Sequence, residues 1–323
     1  MMEFNSRNIR IWSKLGPHRV FGVTMLSLAE DIENLVVITA DMKAFAGLDR
    51  FCKKYPEKFF NIGIAEQHMI GVAAGMVSEG FRVFTSAYAP FVTIRVLDQI
   101  RVNMGCMKLP IKLVGMAAGL SLGMLGATHV TSGDIAAIRA IPNITILSPA
   151  DTTETAKALC AAAEMDSPVY LRLTGMDDTK IIYPQDYNFQ IGKAIRLHSG
   201  KDVSIFATGT MVSAALETAE ILAREKISAS VTDVHTLKPM DRSSILESLD
   251  CDLIVTMEEH SVIGGLGAAV AEVLAPVRSK PRQLMIGMSD EYMHAGDYKY
   301  LLEQYGLTPQ QCADKILKSL RAV

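Results

Sequence analysis

From residue 34 onward the chain alternates short apolar runs with longer stretches of helical length. "NLVVITA" (34–40), "FFNIGI" (59–64), "FRVFTS" (81–86), "IKLVGM" (111–116), "ITILSP" (144–149) and "PVYLRL" (168–173) predict strands, being short and rich in β-branched and aromatic residues. Residues 65–79, 89–103 and 150–165 predict the helices between them. Strands separated by helix-length segments imply parallel βαβ units and a sheet covered on both faces. Residues 174–192, "TGMDDTKIIYPQDYNFQIG", lose this periodicity, gain Asp, Pro and Gly, and predict a linker. Alternation then resumes, with strands at 203–208, 228–234, 252–257 and 283–288 and helices at 210–224, 242–249 and 266–275. A last helix starts with Thr308 as N-cap and Pro309 at its first position. The predicted class is α/β: two three-layer α/β/α domains in series, residues 1–178 and 190–323.

Composition narrows the function classes. The 323 residues suit roughly two domains of ordinary size, and a hydrophobic share of 49% can fill their cores. A formal charge of −3 lacks the clustered basic surface of a general nucleic-acid binder. No run approaches the ~18 uninterrupted apolar residues of a membrane span, and the N-terminal "MMEFNSRNIRIWSK" has no apolar secretory core. Neither nucleic acid nor membrane is therefore an expected partner. The five cysteines, Cys52, Cys106, Cys160, Cys251 and Cys312, lie far apart with no CxxC pair, so reduced thiols in a cytoplasmic protein are expected. Most of the 18 methionines are scattered through apolar segments, as core fillers are.

Few motifs carry chemistry by themselves. No GxxxxGK[ST] loop and no GxGxxG after a strand is present. "GGLGAA" (264–269) opens a predicted helix, where close packing or a turn explains its glycines better than phosphate binding does. Glu66, in "NIGIAEQHMIGVAAG", is an acid at the start of an otherwise apolar helix. The free N–H groups and dipole of a helix start favour a negative charge, and function is the second explanation. His129, in "GATHVTSGD", sits in a Gly-rich loop, where a solvated and a catalytic histidine are equally consistent with the pattern.

Taken together, "GIAEQHMIGVAAGMVSEGFRVF", "LDQIR", "AAGLSLGMLGATH", "IRAIPNITILSPAD", "PVYLRLTG" and "EEHSVIGGLGAAVAE" resemble the C-terminal half of transketolase, from about Arg19 to the end of the chain. The resemblance implies a pyrimidine-binding domain followed by a transketolase C-terminal domain, with thiamine diphosphate and Mg2+ as cofactors. Glu66 then matches the glutamate that contacts N1′ of the cofactor's aminopyrimidine, sharing a proton with the ring and favouring its imino tautomer. An apolar setting suits that role, because burial disfavours the charged carboxylate. Tyr88 and Phe91 match aromatic positions lining the pyrimidine pocket, and Asp41 matches an acid near the cofactor. His129 matches a histidine that contacts substrate hydroxyls and assists proton movement. His68 either lines the same pocket or packs beside it, while His235 and His260 are expected to be structural or interfacial.

The family's GDG motif with its downstream Asn, which holds magnesium and diphosphate, does not occur in the sequence. The resemblance therefore implies a split enzyme, with an N-terminal-half subunit as partner and an α2β2 heterotetramer as the assembly. The chain also departs from the family. Ala117 and Gly175 stand where a phosphate-binding histidine and arginine are usual, Met124 and Leu125 replace an acidic pair, and Arg19 is retained as a basic substrate-binding position. An unphosphorylated, modified or nucleotide-linked sugar is the expected substrate. A 1-deoxyxylulose-phosphate synthase-like subunit, a 2-oxo-acid dehydrogenase beta-like subunit and a noncatalytic scaffolding subunit remain as alternatives.

Overall fold

The apolar runs become two sheets in a computed structural model that describes residues 2–292 and 294–321. The outermost ends of the two expected domains, residue 1 and residues 322–323, lie outside the described residues. The strands in chain order are β1 (Leu35–Thr39), β2 (Phe59–Asn61), β3 (Arg82–Tyr88), β4 (Lys112–Ala118), β5 (Thr145–Leu147), β6 (Val169–Thr174), β7 (Ile195–His198), β8 (Val203–Ala207), β9 (Ala229–Asp233), β10 (Thr236–Lys238), β11 (Leu253–Ser261) and β12 (Arg282–Met288). The first sheet has the order β10-β5-β6-β4-β3-β1-β2 and the second β12-β11-β8-β9-β7. Every pairing is parallel except β10 with β5 and β7 with β9, one edge pair in each sheet. The architecture is two α/β/α units in series.

Continuous apolar strands require cover on both faces. On one face of the first sheet, Ile70, Ala73 and Val77 of the Glu66–Ser78 helix join Val36, Ile38 and Val83 in one core. On the other, Phe21 and Met25 of the Ser6–Asp31 helix and Leu159 of the Thr152–Glu164 helix pack with Phe84, Val114 and Leu171. Burying a side chain of this size contributes about 1.5–3 kcal/mol.

The Ser6–Asp31 helix was not predicted. It is kinked at Gly16, whose φ of +75° precedes Pro17, and such a Gly-Pro pair reads as a break in the sequence. The single helix predicted over 89–103 is instead four short pieces: Ala89–Val92, Ile94–Val96, Leu97–Gln99 and a π-helical turn at Ile100–Cys106. Thr93 makes the first break at φ −122°, ψ −81°, and its hydroxyl donates to the Ala89 carbonyl at 2.5 Å. Thr174 closes β6, and residues 175–194 carry no strand or helix. The two units are nonetheless interlocked, since β10 leaves the second sheet after β9 and pairs antiparallel with β5 of the first.

Candidate active site

The carboxyl ends of β1, β2, β3 and β4 meet at one edge of the first sheet, the usual ligand edge of an open parallel sheet. Past β2 the chain turns through Gly63, at φ +73°, and enters the Glu66–Ser78 helix. Glu66 is its first residue and is only 5% exposed. The Arg95 Nη1 donates to both Glu66 oxygens at 3.0 Å each. The apolar setting expected for this carboxylate is therefore corrected in one respect: Glu66 is buried, but a guanidinium faces it. Arg95 also lies over the Phe91 ring, 3.8 Å from the centroid, a cation–π arrangement. The break at Thr93 sets this geometry by interrupting the helix between Phe91 and Arg95. Sequence reasoning missed Arg95. Its signal was slight, that it is the one charged residue between Arg82 and Asp98.

Three predicted residues gather next to this pair. Phe91 and Tyr88 stand edge-to-face at 6.2 Å, and His129 meets Phe91 at 5.1 Å and Tyr88 at 5.9 Å, both edge-to-face. His129 Nδ1 is 3.0 Å from the Thr128 hydroxyl. Burial raises the Tyr88 hydroxyl above its usual range, so it stays protonated. Asp41 stands at the same sheet edge at φ +58°, where its backbone N–H donates to Asn61 Oδ1 at 3.0 Å and its carboxylate accepts from Asn61 Nδ2 at 3.2 Å. His68 is exposed on the Glu66–Ser78 helix.

Arg19 is set apart by two rings. Phe45 meets Tyr88 edge-to-face at 5.1 Å and stacks on His18 at 4.5 Å. Asp177 accepts from Arg19 Nη1 at 2.9 Å and lies 3.4 Å from His18 Nε2. Burial pushes His18 down to about 4, against the opposing pull of Asp177, so the ring is neutral near pH 7. The positive charge expected for substrate thus already faces a carboxylate, which the sequence did not reveal. Gly175 has φ +81°, a backbone conformation that strains any larger side chain. Ala117 is buried at the end of β4 with φ +51°. Met124 and Leu125 are 76% and 54% exposed, on the loop that carries His129.

His235, His260 and the glycine-rich 264–269 stretch have contacts inside the protein. His235 stacks obliquely on Phe189 at 4.3 Å and meets the Thr236 hydroxyl at 2.9 Å. His260 lies 3.8 Å from Asp134 and 3.7 Å from Glu258, and its Nδ1 is 2.7 Å from the Ser261 carbonyl. Burial pushes both rings down to about 4. At "GGLGAA" the helix start is filled by the chain's own Glu258, which accepts from the backbone N–H groups of Leu266 (2.7 Å) and Gly267 (2.8 Å). A Cβ on Gly265 would run into that carboxylate, which accounts for one glycine by close approach.

Residues 17–177 match the family described as transketolase, pyrimidine binding domain, and residues 192–312 match transketolase, C-terminal domain. The chain is 40% identical over 308 residues to a transketolase C-terminal section of Methanocaldococcus jannaschii, an alignment spanning 95% of this chain and 96% of that one. It is 37% identical over 288 residues to the 6-deoxy-6-sulfo-D-fructose transketolase subunit of Clostridium sp. strain MSTE9, spanning 89% of each. Among solved structures it is similar to a split gene transketolase in an inactive beta4 tetramer. The TM-score is 0.86 at 37% identity, covering 95% of this chain and 98% of that one.

Proposed function

Because the chain belongs to the transketolase family, we propose that it is one subunit of a split transketolase, carrying a two-carbon ketol unit from a ketose donor to an aldose acceptor. The observation that carries this reading is the buried Glu66 carboxylate at a helix start, joined through Arg95 to the ring cluster of Phe91, Tyr88 and His129. Split assembly is supported by relatives that are themselves a transketolase section and a transketolase subunit and that this chain spans almost end to end. The domain division we adopt is 1–178 and 190–323.

These residues fit thiamine diphosphate by their chemistry. A planar aminopyrimidine needs flat apolar walls and one carboxyl group, and Tyr88, Phe91 and Glu66 supply them at a single sheet edge. When bound, the cofactor supplies the carbon nucleophile of the reaction. Glu66 would share a proton with N1′ of the ring once the cofactor is bound, with Asp41 at the same sheet edge. His129 binds substrate hydroxyls and moves a proton there. The diphosphate and Mg2+ we assign to the partner subunit.

For the substrate we propose a sugar without a terminal phosphate. Losing two phosphate partners at positions 117 and 175 removes charge-assisted bonds of ~1.5–3 kcal/mol each. That amounts to roughly two to four decades of affinity. The left-handed backbone at Gly175 and the Asp177 carboxylate on Arg19 support this, as does the relative named for 6-deoxy-6-sulfo-D-fructose. A substrate panel on the enzyme reconstituted with its diphosphate-binding subunit tests the proposal. Activity should be highest with ketoses lacking a terminal phosphate. Highest activity with xylulose 5-phosphate and ribose 5-phosphate would defeat the substrate assignment, and no ketol transfer from any donor would defeat the whole reading.

A further inference from the structure

The loop from Gly119 to Thr131 carries Met124, Leu125 and His129, yet much of what holds it comes from the second unit. Its two ends are bridged, with the Thr131 N–H donating to the Gly119 carbonyl at 2.9 Å. Glu259, near the end of β11, is 1% exposed and points into this junction. Its Oε1 accepts from the Leu120 N–H at 2.5 Å. Its Oε2 accepts from the Thr210 hydroxyl at 2.8 Å and the Tyr298 hydroxyl at 2.6 Å, at the starts of the Met211–Arg224 and Tyr298–Gln304 helices. One buried carboxylate thus ties the loop to two helices of the other unit.

The surroundings reinforce the tie. A Cβ on Gly119, at φ +71°, would strike the Glu259 side chain, so loop backbone and carboxylate are in direct contact. The Arg172 Nη2 donates to the Glu259 carbonyl at 2.9 Å and the Thr131 carbonyl at 3.4 Å, clasping the other end of the loop to the same strand. Nearer the tip, the Gly296 N–H donates to the Gly123 carbonyl at 3.2 Å, and Gly123 lies against Leu301. The loop is also held by the Ser121 hydroxyl, which accepts from the Gly175 N–H at 2.9 Å, by the Leu120 side chain buried in the second unit's core, and by its own turns, such as the His129 N–H to the Gly126 carbonyl at 3.0 Å.

We infer that Glu259 is a positioning residue for the substrate: through Leu120 it fixes the path of the 119–131 loop and so the place of His129 against Phe91 and Tyr88. The second unit, which contributes no group to the ring cluster, would then act on the sugar through this carboxylate. The inference rests on the role proposed above for His129. It predicts that weakening Glu259 impairs sugar binding and leaves thiamine diphosphate binding alone, because Glu66, Tyr88 and Phe91 lie on other elements.

Glu259→Gln keeps the shape and removes the charge, and Tyr298→Phe removes one donor while leaving the Leu120 bond. Amide hydrogen exchange is measured on each full chain without partner, and sugar kinetics and thiamine diphosphate affinity on each reconstituted enzyme. Glu259→Gln should speed exchange across residues 120–130 by about tenfold, the scale of trading a charge-assisted for a neutral bond. Tyr298→Phe should act in the same direction by less. Exchange in β3 and β8 should stay as in the wild type. With the partner, KM for the donor sugar should rise about tenfold, while thiamine diphosphate affinity stays within about twofold. Unchanged exchange at 120–130, an increase spread evenly through both sheets, or a loss confined to cofactor binding would each overturn the inference. The exchange arm needs no turnover, so it stands or falls separately from the transketolase reading.

Discussion

Glu66 and Arg95 face each other without a water-filled gap, and a buried carboxylate stripped of its cation is costly. Arg95 is 42% exposed, which weakens the pair by solvent screening. A double-mutant cycle with Glu66→Gln and Arg95→Ala in the thiamine-free chain should give a coupling of about 1 kcal/mol from urea unfolding; a coupling near zero would show that the pair contributes nothing. In the reconstituted enzyme, Glu66→Gln should lower kcat and kcat/KM together, because an amide cannot exchange a proton with the ring. Near-normal rates would remove Glu66 from the chemistry. A second buried acid makes a pH prediction. Asp233 accepts from the Tyr183 hydroxyl at 2.7 Å beside Glu154, and burial pushes its carboxyl up to about 7 from an ordinary 3.8. Between those values the folded chain binds more protons than the unfolded chain, so this group lowers stability as pH rises from 4 to 7. His18, His235 and His260, each held down to about 4, work the other way between 4 and 6.5. Asp233→Asn should therefore gain stability over the wild type as pH rises from 4 to 7, on the order of 1 kcal/mol per unit. A pH-independent difference would refute that assignment.

At the scale of elements, the Ser6–Asp31 helix shows what close approach demands. A Cβ on Gly22 would run into the Gly47 carbonyl, so helix and turn touch backbone to backbone. Alanine gains about 1 kcal/mol in helix propensity, but overpacking of this kind costs about 1–3 kcal/mol. The overlap should win. Gly22→Ala should lower the urea midpoint, and an unchanged or raised midpoint would show that the two segments part easily. The same helix marks where the sequence stops being readable. Apolar runs such as "NLVVITA" and "VSIFAT" identify strands because burial on both faces needs uninterrupted side chains. The Gly-Pro kink hides a 26-residue helix, and the break at Thr93 depends on a local hydroxyl bond that no periodicity records. The crossing of β10 to the first sheet is a long-range pairing, invisible to local pattern. The candidate site divides similarly. Glu66, Tyr88, Phe91 and His129 stand within motifs that resemble a family. Arg95, Asp177 and Glu259 act through partners 29, 158 and 139 residues away in sequence.

The whole molecule presents its candidate site at a rim that is more apolar than an open pocket requires. Ile64, two residues before Glu66, is 77% exposed, Ile94, beside Arg95, is 50% exposed, and Met124 and Leu125 add 76% and 54%. Exposed large apolar side chains mark a surface that another protein covers when they form a patch. These four lie on the segments that carry Glu66, Arg95 and His129, so a protein covering them would close the site as well. The partner proposed above would do this: a diphosphate-binding subunit over that edge would complete a site of which this chain is proposed to hold the pyrimidine half. Half a site offers too few contacts to offset the freedom the cofactor loses on binding. The purified chain should therefore bind thiamine diphosphate weakly, show no ketol transfer, and associate with itself through closed symmetry. Adding the partner should convert it to a symmetric α2β2 heterotetramer with two sites and bring both cofactor affinity and turnover. Light scattering and titration of thiamine diphosphate check these outcomes on the same samples. A stable one-to-one heterodimer would overturn the assembly, and strong turnover by this chain alone would show that it holds the diphosphate itself.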